Sequence, residues 1–197
     1  DVWGYPYCYG RMFDVVENDQ GQYDTPSRIF WATGACLCIR SVCYHESGGL
    51  DKDFFAHMEE IDLCWRLGCR GWQLACVPQS MVYHVGGGSL PKENPRKDYL
   101  NFRNNLLMLY KNLPSGRLCS VMLVRFFLDY AAAFVFLLKG KKASFTAVLK
   151  ARWDYHRMKR TMRNKRKENL LHMTESQPFG IIRRSIVWDY HVKHQTR

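Results

Sequence analysis

The sequence predicts a mixed α/β unit over residues 1–113, followed by a helical, basic, membrane-facing extension over 114–197. Three observations carry that expectation. Before residue 113, short apolar runs bounded by glycine and proline flank one helix-periodic stretch. After it, Leu118 to Leu138 is almost wholly apolar. Charge is also divided, since Lys139 to Arg197 carries 16 Lys and Arg against 4 Asp and Glu, whereas the rest of the chain is close to neutral at 13 against 14.

Taken in order, Ile29 to Arg40 reads as a buried strand interrupted at Gly34, where backbone can approach a ligand. A short helical turn follows and ends at Gly48-Gly49. A helix then opens near Glu59, with Ile61, Cys64, Trp65 and Gly68 on one face and Gly71 as its stop. Gln73 to Val77 reads as a strand ended by Pro78. Met81 to His84 reads as a further strand that empties into Gly86-Gly87-Gly88-Ser89. Arg96 to Asn112 is expected to be a helix packed through Tyr99, Phe102, Leu106, Leu109 and Tyr110, and stopped by Pro114.

As a helix, the apolar run 118–138 would measure roughly 30 Å, the thickness of a bilayer core. Arg125 and Asp129 interrupt it one turn apart and are placed to pair. An interfacial or re-entrant segment, a single span and a buried core helix all remain open. A single span would put the acidic cluster and the basic tail on opposite sides of the membrane, a conflict that an in-plane segment avoids. Ala143 to Lys167 continues as a basic helix with Phe145, Val148, Leu149, Trp153 and His156 at helical spacing, suited to an anionic membrane surface.

At 197 residues and 47% hydrophobic content the chain can bury a core. It begins at Asp1 and opens on Trp3, Tyr5, Tyr7 and Tyr9, which reads as part of a longer polypeptide. Of the eight cysteines, Cys36, Cys38, Cys64 and Cys76 fall in apolar periodic segments and are expected to be reduced and buried, in a cytosolic setting. The formal charge of +11 seeks an anionic surface. No recognised nucleic-acid fold accompanies the basic tail, so membrane is favoured over nucleic acid.

The chemistry concentrates in Glu59, Glu60 and Asp62, crowded between the Phe54-Phe55 pair and an apolar helix face, with His84 one strand later. Mutual repulsion and lost hydration raise the proton affinity of at least one carboxylate toward that of a general base. His84, at a strand end beside a glycine loop, suits a metal ligand. A blander reading has the acids complementing the helix macrodipole, with Asp62 paired to Arg66.

Trp31-Ala32-Thr33-Gly34-Ala35, Gly48-Gly49-Leu50-Asp51, the run Glu59 to Arg66 and Val82-Tyr83-His84 together resemble glycosyltransferase family 2, over roughly Gln22 to Leu113. The likeness is to the C-terminal, acceptor-side half of a GT-A domain, in the rhamnosyltransferase-like branch that builds bacterial surface polysaccharide. It implies inverting transfer from a nucleotide-diphosphate sugar to a hydroxyl of a glycan or lipid-linked acceptor, at the cytoplasmic face of the inner membrane, in a peripheral or re-entrant position. Glu60 would be the base, where the family usually has Asp. His84 would help to hold Mg²⁺ or Mn²⁺, Thr33, Gly34 and Ala35 would line the acceptor pocket, and Trp31 would stack on a sugar. Asp51-Lys52-Asp53 has the letters of the family's metal motif but sits in the Gly-Gly-x-Asp loop, and the donor-binding half that carries that motif is absent here. A rival reading is a non-catalytic membrane module derived from such an enzyme.

Overall fold

The computed structural model describes residues 1–85, 94–175 and 177–195. Helices dominate it. A small hairpin, β1 (Arg11–Met12) and β2 (Val15–Val16), precedes β3 (Ser27–Ile29), the short helix α1 (Ser41–Glu46) and helix α2 (Glu59–Cys69). Strand β4 (Leu74–Cys76) follows, then the long helices α3 (Pro95–Asn112), α4 (Ser115–Leu138) and α5 (Lys142–Leu171), and last α6 (Ile186–His191). Strands β3 and β4 pair antiparallel, with Arg28 opposite Ala75.

Strand structure is sparser than the sequence predicts. The run Ile29–Arg40 pairs with β4 only at its very start, then forms a 3₁₀ turn at Gly34–Cys36 capped by the Thr33 hydroxyl. Met81 to His84 forms no strand and is exposed. A period-2 apolar pattern becomes a strand only where a neighbour satisfies its backbone, and among the described residues the first run pairs at Ile29 alone and the second not at all. The burial expected for Cys36, Cys38 and Cys76 also fails, because all three stand exposed, while Cys64 is buried with Cys43 and Cys69.

The helices follow their sequence signals closely. Helix α2 stops where Gly71 adopts φ +84°, which lets the Trp72 N–H reach back to the Leu67 carbonyl. Asn94 caps α3, with Pro95 as its first residue. Helix α5 runs antiparallel to α4 and parallel to α3, meeting Tyr99 through Asp154 and Asn112 through Asn169, and the Arg166 guanidinium donates to the Tyr110 and Leu113 carbonyls left open at the C-terminus of α3.

One core joins the two stretches that the sequence separates at residue 113. Phe54, Ile61, Trp65 and Leu106 to Tyr110 pack in it together with Val121 of α4 and Tyr155 and Met162 of α5. Polar seams reinforce it. The Tyr99 hydroxyl donates to Asp154 at 2.8 Å, and Asn169 donates to Asn112 at 3.0 Å.

Candidate functional site

The site begins with an unusual piece of backbone. Phe55, His57 and Met58 have φ of 67°, 67° and 71°, a left-handed region that side chains with a Cβ disfavour. What holds them is Asn104, fully buried on α3, whose Nδ2 donates to the carbonyls of Phe54, Ala56 and His57 at 2.9, 2.8 and 2.8 Å. Arg103 adds a second donor to the Phe54 carbonyl at 3.0 Å. This kink fixes where α2 starts, and so where its first-turn acids point.

The three acids do not act together. Residues 60 and 62 lie about 200° apart around a helix, so one faces outward when the other faces the core. Asp62 is the inward one. It is fully buried and accepts from Arg66 Nη2 at 2.9 Å, Lys111 Nζ at 2.8 Å and Asn112 Nδ2 at 2.7 Å. With both oxygens engaged it is a structural anion, as its pairing with Arg66 suggests in the sequence.

Glu59 and Glu60 are half-buried, and each keeps one carboxylate oxygen out of solvent with no hydrogen-bond partner. Burial pushes the Glu60 proton affinity above the usual 4.5, and the neighbouring Glu59 carboxylate pushes it further. His57 Nε2 is buried and unpartnered in the same way. Burial, then Lys97, holds its imidazole below 6.5 against the opposing pull of Glu59. Three titratable groups with unused polar atoms therefore cluster at the mouth of α2.

Along α2 runs a groove of about 1070 Å³, which Ile61 of that helix lines but His57, Glu59 and Glu60 do not. Trp31, Thr33, Gly34 and Ala35 all line it, together with Tyr7 and Trp65. The segment from Ala32 to Gly34 lies along α2: a Cβ on Gly34 would come within 4.0 Å of Glu60 Cβ. The predicted acceptor-pocket residues and the predicted base are thus neighbours.

His84 is not brought to this groove. It stands exposed in an irregular segment, and the Gly86–Ser89 loop lies outside the described residues. Asp51 and Asp53 are likewise committed elsewhere. Asp51 pairs with Lys111 at 2.7 Å and also with Lys165, which reaches Asp53 at 2.8 Å. Burial opposes ionisation of Asp51, but the two lysines win and bring its pKa down to about 2. Among the described residues no three of His, Cys, Asp and Glu gather as a metal ion would need.

Sequence reasoning missed His57, Asn104 and Lys111. A signal for the last two was present, since Asn104-Asn105 and Lys111-Asn112 repeat a polar pair at a seven-residue interval around the apolar run Leu106 to Tyr110. All four are buried.

The start of α2 thus presents two carboxylates with unpartnered oxygens next to the Ala32–Gly34 segment, which lines an aromatic groove. The chain is 41% identical over 56 residues to the N-acetylglucosaminyl-diphospho-decaprenol L-rhamnosyltransferases of two Mycobacterium tuberculosis strains, CDC 1551 / Oshkosh and ATCC 25618 / H37Rv. That stretch is 28% of this chain and 18% of the relatives, so the match spans about a fifth of their length. It relates the chain to glycosyltransferases. No family model matches, and no solved structure does.

Proposed function

We propose that this chain is the acceptor-side, C-terminal portion of a family 2 glycosyltransferase, with Glu60 as the catalytic base of an inverting transfer. The observation that carries the reading is Glu60 itself: a carboxylate with an unused oxygen and a raised proton affinity, set against the groove wall made by Thr33 and Gly34. The short likeness to rhamnosyltransferases supports it.

In this reading an acceptor hydroxyl enters the groove beside Gly34, the residue whose backbone lies against Glu60. Ionised Glu60 takes the hydroxyl proton while the oxygen attacks the anomeric carbon from the face opposite the nucleoside diphosphate. The sugar-oxygen bond forms as the bond to the diphosphate breaks, and the configuration inverts. Glu59 keeps the affinity of Glu60 for that proton high, and Trp31 offers an aromatic face to a sugar ring.

The acceptor is a glycan or a lipid-linked glycan, and the donor a nucleotide-diphosphate sugar. Mg²⁺ or Mn²⁺ at the departing diphosphate belongs to the same reading. The donor set among the described residues does not fit such an ion, because His84 stands alone and exposed and Asp51 and Asp53 are bound to lysines. No step is therefore routed through a metal.

Transfer to a polyprenyl-diphosphate-linked sugar acceptor, measured with the intact polypeptide that carries these residues, tests the assignment. Glu60→Gln is expected to lower kcat by roughly 10²–10⁴-fold, the usual contribution of a general base. Turnover within a few-fold of wild type would remove Glu60 from the role.

A further inference from the structure

We propose that the outward face of α4 is a docking surface for an anionic phospholipid bilayer, on which the helix lies in the headgroup plane without crossing it. Transfer chemistry plays no part in the case.

Helix α4 is turned inside out relative to a helix of a water-soluble core. Its buried positions are Val121, Arg125, Asp129 and Ala133, a line of every fourth residue that includes both of its central charges. Arg125 donates to Asn105 and pairs with Asp129 at 3.0 Å, and Arg152 of α5 pairs with Asp129 at 2.7 Å. The opposite flank carries Leu123, Phe127, Phe134 and Leu138, exposed by 61, 63, 57 and 71%. The buried ion network fixes the rotation of the helix, so this apolar flank faces outward wherever the core is intact.

Charge decides what covers it. Lys139 and Lys142 stand exposed where α4 turns into α5, and Arg157, Arg160, Arg163 and Lys167 are exposed along α5. An apolar strip that ends at exposed lysines, beside a helix rich in exposed cations, complements hydrocarbon beneath anionic headgroups. A second copy of the chain would bring two such basic helices together and repel.

The packing of α5 excludes a crossing. It lies antiparallel to α4 from the turn at Gly140 back to the start of α4, where Arg166 reaches the Ser115 hydroxyl at 3.3 Å. Were α4 to cross, the stretch of α5 beside it, with nine Lys and Arg between Lys142 and Arg166, would have to enter the hydrocarbon as well.

Flotation of the 197-residue chain with phosphatidylcholine vesicles, with and without phosphatidylglycerol, tests the surface. The chain is expected to float at least about tenfold better with phosphatidylglycerol, to lose that advantage in molar salt, and to be released by alkaline carbonate. The double variant Phe127→Ser and Phe134→Ser should lose flotation about tenfold or more with an unchanged melting temperature, since both rings already stand in solvent. Three results would each overturn the proposal: equal flotation by the variant, retention in the carbonate pellet as for a spanning helix, or a vesicle-free dimer that the variant disperses.

Discussion

Glu60 and Asp62 sit two residues apart and experience opposite electrostatics. Asp62 is anchored by two cations and an amide, so replacing it leaves Lys111 and Arg66 buried without their anion. Asp62→Asn is expected to cost about 3–5 kcal/mol in a urea titration. Glu60 has the reverse sign. The folded chain holds its proton more tightly than the unfolded chain does, so ionising it as pH rises above 4.5 works against folding. Glu60→Gln should therefore melt at or above the wild-type temperature at neutral pH, and that gain should fade as pH falls toward 4.5 and below. An acid retained at a cost to stability is what a functional site requires; a lower melting temperature for the variant would instead make Glu60 a structural residue. The sequence shows that these acids cluster but not which way each one faces, because that depends on the α2 starting point set by Asn104.

At the scale of elements, the kink before α2 depends on a partner 47 or more residues away in the chain. Three carbonyls share one buried amide, and three residues are held at positive φ. Asn104→Ala would strand those carbonyls and release the strain, with an expected loss of about 2–4 kcal/mol by denaturant titration and a drop in any Glu60-dependent turnover. Were the variant as stable as wild type, the kink would be set locally. The same distinction explains which elements were legible. Helices α2, α3, α4 and α5 begin and end close to their predicted bounds because caps, glycine and proline stops and apolar periodicity are local signals. Strands depend on partners, so the runs at Ile29–Arg40 and Met81–His84 shrink or fail where pairing ends. Helix α6 carries a Ser185 cap, but at six residues it is too short for apolar periodicity to mark it.

For the whole molecule, the decisive contacts are those that join residues before and after 113. The sequence suggests a boundary there, since composition changes from mixed to apolar and then basic. The structure instead puts Val121, Tyr155 and Met162 into one core with Phe54, Trp65 and Leu106, and ties Lys165 to Asp51 and Asp53. A composition shift reports the surface a segment presents, whereas a domain boundary depends on the core it joins, and the cationic α5 contributes both. Removing residues 114–197 would uncover the α5-facing side of α3, including Tyr110, whose ring meets Tyr155 edge-on, and leave Asp51 with one of its two lysines. Each large side chain left in water forfeits on the order of 1.5–3 kcal/mol, and a handful exceeds the total stability of an ordinary domain. A fragment of residues 1–113 is therefore expected to lack a cooperative thermal transition and to bind a hydrophobic dye, while the 197-residue chain melts in one step. A fragment melting cooperatively near the temperature of the full chain would restore the boundary and make α4 and α5 an appendage to a self-sufficient site.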